Sequence, residues 1–181
     1  MRVYWVLLGA LALGACAPET LAWSRSGLGA GEWWRVWTGH YTHWGAAHAW
    51  SNAAVCMLLI YIQGDRARTW VLASLWVAPV MSLVLLWTVP SMLEYRGLSG
   101  LNCFWLVGAW AALSARGRQG FWIGSLLVFV EIFKIAYDVL TGAASPFLPV
   151  EIETAWQAHT VGLVCGFIFW SKSAWRKRET S

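Results

Sequence analysis

The chain has 181 residues, 59% of them hydrophobic and only 12% charged, with a mean hydropathy of +0.53. A soluble domain carries about 25% charge, so composition argues against a soluble globular protein and for one polytopic membrane domain over residues 1–181. The net charge of +4 is spread over short loops and the tail rather than gathered in a patch, so no nucleic-acid partner is expected.

In chain order, six apolar segments predict an all-α bundle of six transmembrane helices near residues 3–22, 44–62, 70–89, 98–113, 121–140 and 154–170. The first contains Leu13-Gly14-Ala15-Cys16, which looks like a lipoprotein cleavage box after a short apolar core. The apolar run resumes at Leu21-Ala22-Trp23, so a retained helix is the expectation; an intact Met1 would separate the two readings. The second span is headed by His43-x4-His48-x3-Asn52. The fourth is short and follows Gly97-Leu98-Ser99-Gly100, as though it begins inside the membrane after a turn. The fifth carries Glu131, Lys134 and Asp138 within about a 60° arc of one helix face. His159 lies just inside the sixth. Sixteen tryptophans suit interfacial anchoring. The four cysteines fall in apolar stretches, which reads as buried free thiols, although Cys103 and Cys165 lie where a bridge between helices is conceivable.

Basic residues set the orientation. Arg2, Arg66, Arg68, Arg116, Arg118 and the tail fall on one side of a six-span arrangement, against Arg25, Arg35 and Arg96 on the other. The positive-inside rule then puts both termini in the cytoplasm. His48, Ser99 and His159 thereby come to a similar depth near the outer ends of three helices, roughly 6–8 Å below the interface for a residue four or five positions in.

These residue types supply the parts of acyl-transfer chemistry. Ser99, flanked by glycines at a helix start, is the candidate nucleophile, and its own backbone N–H is free to face an anion. His159 is the candidate base. No acid stands beside it in sequence, so a Ser99–His159 dyad is simpler than a triad. His48 and Asn52, four apart on one helix face, can donate to the oxyanion. The charged stripe has two readings: mutual neutralisation by a Glu131–Lys134 pair, or substrate recognition by Glu131, Lys134 and Asp138. No metal and no soluble cofactor is required.

At this point the chain resembles the rhomboid family of intramembrane serine proteases over about residues 30–170. The resemblance is carried by Trp34-Arg35, His43-x4-His48-x3-Asn52, Gly97-Leu98-Ser99-Gly100 and Ala158-His159-x2-Gly162-x3-Gly166. It implies Ser99 as nucleophile, His159 as base, and His48, Asn52 and the Ser99 amide at the oxyanion. It gives His43 and Arg35 structural roles near the first loop. It also implies close packing of the serine and histidine helices through Gly100, Gly162 and Gly166. Many bacterial relatives carry a tyrosine one turn after the serine, where this chain has Cys103; His159 must then be oriented otherwise, by Trp156 or the Cys103 sulfur. The compact size, the Gly-Leu-Ser-Gly and the charged fifth helix look like rhombosortase, the branch that processes GlyGly-CTERM proteins. That resemblance implies a bacterial inner-membrane location with the site facing the periplasm. It implies lipid neighbours and substrates with a C-terminal transmembrane helix, which enter between the second and fifth helices. Hydrolysis and transfer to an amine both stay open. The rival expectations are a non-catalytic rhomboid-like client-binding protein and a haem-binding membrane protein or transporter using His40, His43, His48 and the charged fifth helix.

Overall fold

A computed structural model describes residues 9–12, 14, 18–142, 147–148, 152 and 154–179, and of 173–179 the backbone alone; among the described residues are five long helices, a folded loop segment, and helical backbone at 9–12 and 14. The loop segment holds α1 (Pro18–Leu21), β1 (Trp23–Ser24), α2 (Arg25–Gly29) and α3 (Arg35–Thr38). The long helices follow: α4 (Ala46–Gln63), a 3₁₀ turn (Gly64–Arg66), α5 (Ala67–Thr88), β2 (Glu94–Tyr95), α6 (Ser99–Ser114), α7 (Arg118–Thr141) and α8 (Trp156–Glu179). The fold class is all-α as expected, and the long helices start within three residues of the predicted segments. Half of the expected first span, including Leu13, Ala15 and Cys16 of the box, lies outside the described residues. Among the described residues one run, Ala46–Thr88, is long and apolar enough to cross a membrane by length and composition, with a mean hydropathy of 2.0 in its best window.

Helix α6 sits at the centre. It packs on α4, α5, α7 and α8, and every residue from Gly100 to Ala109 is buried. Its sequence explains this: it is apolar all round, without the polar face that a surface helix keeps. Small residues let the neighbours approach. A side chain at Gly162 on α8 would run into the Gly100 carbonyl on α6, so these backbones meet one residue from Ser99 and three from His159. Farther along, Trp70, Phe104 and Phe169 lock α5, α6 and α8 together, with ring centroids 4.9–5.8 Å apart. The outer faces are apolar too: Trp50, Trp76 and Trp87 are 76–81% exposed, and Phe129, Ile132 and Phe133 stand out from α7.

The first loop is an ordered clamp rather than a bare connection. Trp23 and Ser24 pair antiparallel with Tyr95 and Glu94, tying the loop to the segment just before Ser99. Arg25 donates to the carbonyls of Leu86 (2.8 Å) and Val89 (3.0 Å), so a cation caps the C-terminal end of α5. Pro79 inside α5 has no N–H, which leaves the carbonyl of Leu75 without its i+4 donor. The Trp37 indole supplies one at 2.8 Å. Beside it, His40 Nε2 reaches the Ala78 carbonyl at 3.0 Å and the Ser82 hydroxyl at 3.1 Å. The loop is therefore docked on the proline site of α5 by groups that satisfy it.

Candidate active site

Ser99 is the first residue of α6, and the turn before it is built by glycine and tyrosine. Gly97 has φ 142°, in the region where a side chain is strained, and its N–H donates to the Gly39 carbonyl at 3.2 Å. Tyr95 donates its hydroxyl to the Gly97 carbonyl at 2.6 Å. Burial pushes the Tyr95 phenol up, which keeps it protonated as a donor. The Ser99 hydroxyl lies within hydrogen-bonding reach of the Tyr95 oxygen. As the first residue of a helix, Ser99 has a backbone N–H with no intrahelical acceptor.

His159 comes from α8 and lines the same cavity as Ser99. Among the described residues no hydrogen bond joins the two side chains. The other side of the ring is held firmly: Nδ1 lies 2.7 Å from Glu131 Oε1 on α7, and the Cys103 thiol donates to that same oxygen at 3.3 Å. This corrects three expectations. An acid does stand beside His159, brought by tertiary contact from 28 residues away. The ring is oriented by Glu131, not by Trp156 or directly by the Cys103 sulfur. Glu131 is not neutralised by Lys134, whose ammonium instead pairs with Asp138 at 2.6 Å. The stripe is thus divided between two tasks. Cys56, Cys103 and Cys165 are free thiols, so Cys103 and Cys165 are not bridged.

The candidate oxyanion donors come from α4. The Trp44 N–H approaches His48 Nδ1 at 3.5 Å, which leaves Nε2 to carry the proton. That Nε2 edge faces Gly97: a Cβ placed there would meet His48 Nε2 at 3.2 Å and Ser99 Oγ at 3.7 Å. Asn52 donates to the His48 carbonyl at 3.0 Å. Asn102 on α6 donates to the Asn52 backbone carbonyl at 3.1 Å and to Oδ1 at 3.3 Å. Fixing Oδ1 in this way sets the amide orientation, with the nitrogen on the His48 carbonyl and its second N–H not used by that bond.

His43 packs edge-on to His48, with centroids 5.0 Å apart, and burial holds its pKa near 4. It supports the neighbouring ring and stays uncharged. His40 is wholly buried and its pKa is also held near 4, with Nε2 engaged on the Ala78 carbonyl and the Ser82 hydroxyl of α5. Arg35 donates to Glu32 (2.6 Å) and to the carbonyls of Glu19 (2.9 Å) and Ala22 (2.5 Å), a purely structural use. Arg96 binds Glu19 and Glu94 and stacks over the Trp44 ring at 4.3 Å. Gly100 faces the Ala158 carbonyl, and a Cβ at Gly166 would press on Val107 at 2.7 Å, so both sit in the α6–α8 contact.

His48, Asn52, Ser99, Asn102, Cys103, Glu131 and His159 line one cavity of about 930 Å³. Its polar end holds His48, Asn52, Ser99, Glu131 and His159. From there it runs between α4 and α7, past Val55, Leu58 and Ile62 on one wall and Leu127 and Val130 on the other, with Cys103 and Leu106 of α6 behind. Lys134 lines it; Asp138 is buried behind.

Cys103 Sγ, Glu131 Oε1 and His159 Nδ1 lie within 4.8 Å of one another and are a donor set able to hold a metal ion. The 2.7 Å separation of oxygen and nitrogen is that of a hydrogen bond, however; two ligands about 2.0–2.1 Å from one tetrahedral ion stand farther apart. Reading along the chain missed Asn102, Tyr95 and the task of Glu131. The one local signal was a carboxylate in an apolar helix. Compared with protein-family models, with curated proteins and with solved structures, the chain matches none.

Proposed function

We propose that the chain is an intramembrane serine endopeptidase of rhomboid type, in the branch that resembles rhombosortase. The observation that carries this reading is the convergence of Ser99, His159, His48 and Asn52 from three helices on the polar end of one cavity. Lining alone would admit other uses; the free amide at Ser99 and the Nε2 edge of His48 turned toward it add the donors that acyl transfer needs. The apolar faces of the long helices lie in lipid, as the six-span arrangement requires, with both termini cytoplasmic and the site facing the periplasm of a bacterial inner membrane. The groove between α4 and α7 suits the apolar helix of a substrate anchored by its C-terminus, whose small residues near the cleavage site unwind easily because glycine is a poor helix former.

In this reaction Ser99 Oγ attacks the scissile carbonyl carbon as its proton passes to His159 Nε2. The carbonyl π pair moves to oxygen, and His48, Asn52 and the Ser99 N–H stabilise that oxyanion. Collapse breaks the C–N bond, and the Nε2 proton goes to the leaving amine. Water, or an amine, then attacks the acyl-enzyme and frees the serine. Ser99→Ala and His159→Ala are expected each to abolish processing of a co-expressed client bearing a GlyGly-CTERM tail, at unchanged enzyme abundance on an immunoblot. Normal processing by either variant overturns the mechanism.

A second reading, a non-catalytic protein that binds such tails, draws on the Ser99 hydroxyl lying against Tyr95 rather than on His159. It requires that the parent protein resist labelling by a fluorophosphonate and that Ser99→Ala bind tails as the parent does.

A further inference from the structure

We infer that Glu131 is the positioning acid of this site, making the working unit Ser99–His159–Glu131 with Cys103 as the clamp on the acid. The inference rests on the reading of Ser99 as nucleophile and His159 as base. Its own support is a separate set of contacts. Glu131 belongs to a helix on which Ile132 and Phe133 are at least half exposed, yet its carboxylate turns inward to His159 Nδ1 at 2.7 Å. Only 9% of the His159 side chain and 20% of the Glu131 side chain remain exposed, so the contact is shielded from solvent and its electrostatics are strengthened.

The arrangement fixes the tautomer. With the Nδ1 proton donated to the carboxylate, Nε2 is left bare, and that nitrogen must accept from Ser99. A dyad lacking this contact would let the ring hold its proton on either nitrogen and turn about its χ angles. Cys103 stands one helical turn after Ser99, so α6 supplies both the nucleophile and the thiol that holds the acid. The cation that could compete for the carboxylate is occupied: Lys134 pairs with Asp138. During attack the serine proton stops at Nε2 and none passes to Glu131. The carboxylate offsets the charge of the imidazolium that forms and keeps its ring aligned until the leaving amine takes the proton.

The test uses the full chain in detergent micelles and a rhodamine-tagged fluorophosphonate, which needs no identified substrate. Glu131→Gln keeps the volume and removes the charge; a packing role would leave the labelling rate unchanged, and a positioning role lowers it by about 10²–10⁴-fold. Cys103→Ala lowers it by about tenfold, as expected for loss of one hydrogen bond of roughly 1–1.5 kcal/mol, and Cys103→Ser restores most of that loss. Glu131→Gln labelling at the parent rate, while Ser99→Ala is not labelled, overturns the role of the acid and leaves the serine assignment standing. Labelling that persists in Ser99→Ala removes the serine assignment and this inference with it. Should Glu131→Gln fail to fold, ¹⁵N-histidine spectra of the parent decide: His159, assigned by the signal lost in His159→Ala, must be protonated at Nδ1 when neutral. The Nε2–H tautomer overturns the proposal.

Discussion

At the scale of single residues, the site depends on which nitrogen or oxygen each side chain presents. His48 presents Nε2 because the Trp44 N–H approaches Nδ1, and the Asn52 amide is held in one orientation because Asn102 binds its oxygen. His48→Ala is therefore expected to slow fluorophosphonate labelling or client cleavage by about 10²–10³-fold, the usual loss for one oxyanion donor. Asn102→Ala, which removes the hydrogen bonds to Asn52, is expected to act in the same direction and less strongly. The loop histidines make a different prediction. His40 has a pKa near 4 when folded, against an ordinary 6.5, because burial penalises its charged form. The unfolded chain thus binds more protons between those values, so stability rises with pH across that window. The contribution is complete above about 6.5 and is lost as pH falls toward 4, about 3 kcal/mol for this one group. Urea midpoints in detergent should fall over that range. His40→Gln, which keeps a donor for the Ala78 carbonyl, should flatten the slope in part, since other histidines are buried as well.

Elements are joined here by groups that each repair a defect in a neighbour. Pro79 deprives Leu75 of a backbone donor, and Trp37 from α3 restores it. Trp37→Phe is expected to cost about 1 kcal/mol in the parent. In a Pro79→Ala background, where the helix supplies its own N–H, the same change should cost less; equal costs would mean the indole acts by packing alone. Secondary structure was mostly legible in the sequence. The apolar runs gave α4–α8 because runs of this length suit helices rather than strands. The first loop was not legible as structure. Its order comes from Arg25, Trp37 and His40 binding carbonyls on α5, and nothing local in residues 24–43 announces those acceptors.

For the whole molecule, the exposed surface is the decisive property. Tryptophans at 76–81% exposure on the outer faces of α4 and α5 are tolerable where the surroundings are not water. At the end of the bundle away from Ser99, Arg66 and Arg116 donate to the carbonyls of Ala111 and Ile62, which gathers the basic turns at one pole. The six-span arrangement then predicts that alkaline phosphatase fused after Ser181 is inactive and that the same reporter fused after Gly142 is active. The reverse pattern would invert the proposed orientation.

The helices, their apolar character and the residues able to do acyl-transfer chemistry were set by the sequence alone, because periodicity, hydropathy and side-chain chemistry are local properties. Which acid meets His159, how the charged stripe divides, and that Cys103 stays a thiol were decided only in three dimensions. The reason is steric and electrostatic together. Glycines bring α8 against α6, α7 packs alongside, and a carboxylate on that helix lowers its free energy by accepting from the ring and the thiol it meets there. No spacing along one helix encodes a meeting among three.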